Sequence, residues 1–202
     1  MKKLFYIGFL VGLYSCGPRM YSYKFSMKES KETQKLSYEN DTLLISFNFY
    51  SKGIKMDFTN KSDSVIKLNW NEIKMTENDI EKKVVYIKKD KGKLKVAQSP
   101  SVISPNAKFS GLLVYEYNIY YSRKLGKEVM TIKDMYPAQS NNSQRKHIEK
   151  LVGTKITLNL PLDINKASHN RVFNFSLDEI QSGRQFGAGE FLLVPLYVLA
   201  GF

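Results

Sequence analysis

The stretch LLISFNFYSKGIKMDFTNKSDSVIKLNW, residues 43–70, decides the fold class. Its apolar residues recur at every second position. Ile45, Phe47 and Phe49 fall on one face, with Ser46, Asn48 and Tyr50 on the other. After the short turn Ser51-Lys52-Gly53, Ile54, Met56 and Phe58 alternate with Lys55, Asp57 and Thr59. Asn60-Lys61-Ser62-Asp63 is turn chemistry, because Asn and Asp side chains cap nearby backbone and tolerate left-handed geometry. Ile66, Leu68 and Trp70 resume the same spacing. A period of two with one apolar face predicts an antiparallel meander buried on one side.

The pattern runs on in both directions. Val85 and Ile87 are expected to pair with Leu94 and Val96 across Asp90-Lys91-Gly92, a short loop with a late glycine. Phe109 to Tyr121 reads as one long strand, rich in β-branched and aromatic residues. On it Leu113, Tyr115, Tyr117, Ile119 and Tyr121 share a face, expected to be a core face with hydroxyls at its rim. Val129 to Tyr136, Lys155 to Leu162 and Arg171 to Leu177 read as further strands. One helix is expected at about 143–152, capped by Asn142 or Ser143 and ended by Gly153. Many short strands separated by turns predict an all-β, antiparallel sandwich over residues 41–185. Residues 17–40 hold little periodic apolar pattern and read as a solvated spacer. The alternation of Tyr21, Tyr23 and Phe25 leaves a short edge strand as the alternative.

The N-terminus is a different kind of signal. Lys2 and Lys3 precede the apolar run Leu4 to Leu13, and Leu13-Tyr14-Ser15-Cys16 closes it. A basic start, a short apolar core and a small residue at the cut describe a secretory signal over residues 1–15. The run is too short for the roughly 20 residues of a spanning helix. The Leu-x-Ser-Cys ending resembles the lipobox of bacterial lipoproteins. That resemblance implies cleavage between Ser15 and Cys16 and two or three acyl chains on Cys16. Residues 16–40 would then be a lipidated tether. Gly17, where an aspartate favours inner-membrane retention in that family, implies the outer membrane. No acidic cluster follows Cys16 of the kind that flags surface export, so a periplasm-facing domain is expected. The run Phe47 to Trp70, with the Ser104-Pro105-Asn106 break before a later strand, is similar to immunoglobulin-like β-sandwich lipoproteins of uncharacterised function. Cys16 is the one cysteine, so true antibody-type domains are excluded and a packed core must carry stability.

Removing residues 1–15 takes Lys2 and Lys3 from the 31 basic residues and none of the 19 acidic ones, leaving an excess of ten positive charges. Such a balance favours anionic neighbours such as headgroups or acidic glycans. Nucleic acid is a poor partner for an envelope lipoprotein. Two segments are candidate contacts with a partner or membrane. One is the basic hairpin with Lys88, Lys89, Lys91, Lys93 and Lys95, where the alternative is a solvated edge that discourages aggregation. The other is the apolar C-terminal segment, 186–202, whose charge-free run Phe191 to Phe202 includes Phe191, Leu192, Tyr197 and Phe202. Twelve residues of helix reach about 18 Å, short of a bilayer core of roughly 30 Å. Pro195 would also break such a helix. A final buried strand and a docking tail both stay open.

Catalytic chemistry finds little support. His147 and His169 have no second ligand at helical or strand spacing. There is no Gly-x-Ser-x-Gly elbow, and Leu192 stands where a third glycine would follow Gly187 and Gly189. No metal and no cofactor are expected. Asp41-Thr42-Leu43 and Asp63-Ser64-Val65 are similar to an O-glycosylation signal used on some exported proteins. The expected function is a membrane-tethered, non-catalytic binding or scaffolding lipoprotein with an envelope protein or glycan as partner. The alternatives are a carbohydrate-binding module that stacks Tyr and Trp70 on sugars, and an envelope enzyme.

Overall fold

The computed structural model describes residues 19–29, 36–90, 93–97, 101–124, 127–140 and 142–184. Within them the chain runs β1 (Arg19–Met27), β2 (Ser37–Glu39), β3 (Leu43–Tyr50), β4 (Gly53–Asn60), β5 (Ile66–Leu68), β6 (Lys74–Glu77), β7 (Ile80–Lys82) and β8 (Val84–Asp90). It continues with β9 (Lys93–Val96), β10 (Ser101–Ile103), β11 (Lys108–Tyr115), β12 (Ile119–Lys124), β13 (Lys127–Ile132) and β14 (Gln139–Ser140). Helix α1 (Asn142–Glu149), β15 (Lys155–Ile164) and β16 (Ala167–Arg184) complete it. One sheet has the order β10-β5-β15-β16-β1-β14, with the β6–β7 hairpin also on β15; the other has the order β2-β3-β4-β11-β8-β9. The all-β antiparallel sandwich is therefore as expected, with one short α-helix among the described residues; the meander expected over residues 43–70 is not, because β5 leaves β4 and pairs with β10 and β15 in the opposite sheet.

Alternation builds each sheet. Leu43, Ile45 and Phe47 of β3 are buried, as are Ile54, Met56 and Phe58 of β4. Ile156, Leu158, Leu160 and Leu162 of β15 and Phe173, Phe175 and Leu177 of β16 supply the opposite wall. The two walls meet through rings. Phe25 stacks on Phe49 at 3.8 Å, and Phe47 meets Phe173 at 4.9 Å and Phe175 at 5.0 Å. Each such side chain contributes about 1.5–3 kcal/mol on burial. Two tight turns set strand register. Asn78-Asp79 and Asn165-Lys166 all have positive φ, between 48° and 66°, the left-handed pair that matches strand twist in a two-residue hairpin. Along β15, β6 pairs with residues 156–159 and β5 with 162–164. Pro161, which has no N–H to donate, falls in the gap between them.

Trp70 opens a 3-10 turn (Trp70–Glu72) and is 4% exposed. It stacks on Tyr86 at 3.9 Å, and its indole N–H donates to Ser101 Oγ at 2.9 Å. Gly111 makes that stack possible, because a Cβ there would lie 1.5 Å from the Tyr86 ring. A second, smaller core lies on the outer face of β8 and β11. The β12–β13 hairpin folds over it, so that Ile132 closes over Ile87, Leu112 and Val114.

Three further expectations need correction. Residues 17–40 are not simply a spacer: from Arg19 the chain is β1, hydrogen-bonded to both β14 and β16. Tyr21, Phe25 and Met27 are buried, so β1 is an interior strand and the folded unit begins well before residue 41. The 24-residue tether fails because three aromatic side chains at period two do find a wall to pack on. Second, the strand from Phe109 ends at Tyr115, and Glu116–Asn118 forms a 3-10 turn. Third, the strand placed at Val129 to Tyr136 is β13 and stops at Ile132, after which Met135 and Tyr136 donate backbone N–H groups to Ser51 O. The helix spans Asn142–Glu149 and buries Ile148, with Gly153 beyond it at φ 87°.

Candidate functional site

Cys16, Ser15, Lys91, Phe191, Leu192, Tyr197 and Phe202 lie outside the described residues. The remaining hairpin lysines sit where their sequence placed them. Ile87 pairs with Val96 and Lys88 with Lys95, while Lys89 pairs with Leu94. Lys88, Lys93 and Lys95 are exposed. β9 is the outermost strand of its sheet among the described residues, where lysines keep an open edge from templating another strand.

The structure adds a surface that the periodicity hid. Because the chain turns at Glu116–Asn118, Tyr117 and Tyr121 stand 56% and 59% exposed instead of joining the core face, and Tyr120, on the opposite face of β12 from Tyr121, is 42% exposed. Tyr117 stacks on the buried Tyr115 ring at 5.1 Å, with Lys82 Nζ 6.0 Å from its centroid. Lys133 Nζ lies 4.0 Å from the Tyr120 centroid. A cation over an exposed ring contributes about 0.5–1 kcal/mol, enough to hold a ring in place. Lys83 pairs with Glu116 at 2.8 Å on the surface, and the Glu116 N–H donates to Lys83 O at 3.0 Å at the start of the turn. Glu77 lies near Tyr117 and accepts from the Tyr136 hydroxyl at 3.5 Å. Burial, reinforced by that carboxylate, pushes the Tyr115 and Tyr136 hydroxyls up, and Tyr117 follows more weakly for the same reasons. These phenols stay neutral and can donate hydrogen bonds. Flat rings beside ammonium groups suit a polar, partly anionic ligand. The polar residues Glu116 and Asn118 on either side of Tyr117 were the available signal that the strand breaks there.

Among the described residues no group of three or more His, Cys, Asp or Glu could hold a metal ion. His147 is exposed on α1 and His169 is exposed near the β15–β16 turn. A shallow cleft of about 290 Å³ opens at one end of the first sheet, lined by Ser26, Lys28, Thr76, Asp79, Lys155 and Asn174 among others. Its Asn174 is already engaged, by Glu29 through both side chain and backbone and by Thr157. Among the described residues no helix is long and apolar enough to cross a membrane.

The molecule is thus a β-sandwich whose exposed chemistry is aromatic and basic. No family model matches the chain, and no curated protein is similar to it.

Proposed function

We propose that the protein is a non-catalytic lipoprotein of the cell envelope, held in the outer membrane by acyl chains on Cys16 and facing the periplasm. Its sandwich serves as a binding or scaffolding module for an envelope partner. The observation that carries this reading is the signal ending Leu13-Tyr14-Ser15-Cys16, whose last residue is the one cysteine of the chain. One acyl chain alone binds a bilayer marginally, and two or three hold it stably. The Cys16→Ser variant tests the anchor: wild-type protein should sediment with membranes and resist high salt, and the variant should be recovered in the soluble fraction or as uncleaved precursor. A variant that is processed and retained like the wild type would remove the basis of the reading.

Carbohydrate binding is the second reading, and the exposed Tyr117, Tyr120 and Tyr121 favour it. Trp70 drops out of it, because its ring is buried against Tyr86. Titration calorimetry with acidic and neutral envelope glycans, comparing wild type with Tyr121→Ala, tests it. Binding lost on Tyr121→Ala supports a glycan site; no heat with any glycan rejects it.

A further inference from the structure

β1 begins at Arg19, three residues after Cys16. Only Gly17 and Pro18 separate the cysteine from a strand locked on both sides. Arg19 pairs with Ser140 of β14 and with Arg184 of β16. A three-residue step spans at most about 11 Å. A free tether of the length first expected would have an r.m.s. reach of about 25 Å. The difference decides where the domain sits. An anchor on Cys16 that reaches only about 11 Å leaves little room for water between bilayer and sandwich.

The same pairing says which end faces the lipid. Ser140 lies opposite Arg19, and α1 starts two residues later. Ile148 turns inward and is fully buried, and Gln144, Arg145, Lys146, His147, Glu149 and Lys150 are exposed. Arg145 is engaged with Glu149 at 2.6 Å, while three basic residues face one acid across residues 142–150. β16 also finishes at this end. The opposite end, at the Asn165-Lys166 turn, is 18 residues of strand away along β16, roughly 50 Å.

We infer that the end of the sandwich made by the start of β1, α1 and the finish of β16 lies directly on the bilayer, with the basic outer face of α1 against anionic headgroups. The inference rests on the reading of Cys16 as the acylated residue. Cations held within about 8 Å of a charged surface at physiological salt act on it with little screening, and the short link keeps the near end of α1 at that range. The rest of the sandwich is then presented in a fixed orientation to the aqueous side.

Acylation would consume the one native thiol, so a single engineered cysteine can be labelled uniquely. The full-length lipidated protein carrying Lys146→Cys or Asn165→Cys is labelled with a fluorophore. It is then placed in vesicles that contain anionic lipid and a headgroup-attached quencher. The Lys146→Cys label should be quenched severalfold more strongly than the Asn165→Cys label. An insert of about twelve Gly/Ser residues between Pro18 and Arg19 adds about 20 Å of r.m.s. reach and should erase most of that difference, with vesicle flotation unchanged. Equal quenching at the two sites in protein that floats, or stronger quenching at Asn165→Cys, would overturn the orientation while leaving the anchor intact. A purified chain whose mass shows no acyl groups would defeat the anchor itself, and the orientation with it.

Discussion

Asn60 shows how one side chain can hold a turn and two strands together. It is fully buried, and its amide nitrogen donates to the carbonyls of Ser64 at 2.7 Å, Ile103 at 3.1 Å and Ser104 at 3.0 Å. Its oxygen accepts from Ser62 N and Ser62 Oγ. Asn60→Ala strands those carbonyls at a cost on the order of 3 kcal/mol, to be read as a lower urea midpoint with unchanged slope. Gly111→Ala forces the Tyr86 ring off Trp70 and should cost about 1–3 kcal/mol. Because Trp70 is the only tryptophan, its emission reports the change directly, moving from blue-shifted towards red at equal denaturant. The buried tyrosines set the alkaline limit. Burial pushes the Tyr86 hydroxyl up to about 12 from 10.0, and Tyr115 and Tyr136 are raised further. A raised folded-state value favours the neutral phenol, so the unfolded chain releases protons first as pH climbs. Stability is therefore complete below pH 10 and falls through the window from 10 towards 12. Tyrosinate absorbance from these buried rings should rise only together with unfolding.

β1 is the element on which the architecture turns. It fills the place between β14 and β16, and Asp178 bulges where the register shifts between Lys24 and Phe25. Ser26 Oγ then donates to Asp178 Oδ1 at 3.0 Å and secures the bulge. Phe25→Ala removes a ring stacked on Phe49 and should cost about 3–5 kcal/mol. In hydrogen exchange the amides of residues 21–27 should be protected as well as those of β16. Fast exchange there, as for a solvated spacer, would contradict the strand. The strand positions from residue 43 to 70 were legible because each strand carries its own turn signal and three or more apolar residues at period two, but their pairing was not: β5 leaves β4 and joins β15 and β10 in the opposite sheet, partners too distant in sequence to show in local periodicity. β1 was less so, since its Tyr21-x-Tyr23-x-Phe25 pattern sits among polar residues and its partner lies about 150 positions away. The strand from Phe109 was overextended for a related reason. Tyr117 and Tyr121 keep the period, but the Glu116–Asn118 turn, where the Glu116 N–H donates to Lys83 O, and the folded-over β12–β13 hairpin leave them outside the core. Trp70 was correctly placed inside by its spacing with Ile66 and Leu68.

For the molecule as a whole, sequence and fold inform different questions. Composition and the N-terminal pattern speak to place: a basic chain with one cysteine behind an apolar leader. The fold speaks to distance, because pairing that starts at Arg19 leaves almost no free chain behind that cysteine. Short reach and a basic α1 at the same end are the features by which the proposed anchor would hold the sandwich in one orientation. The most direct measurement is the intact mass of the chain extracted from membranes. It should correspond to a chain beginning at Cys16 and enlarged by a diacylglycerol and one further acyl group. A mass matching an unmodified chain, whether begun at Met1 or cut elsewhere, would contradict both the anchor and the geometry derived from it.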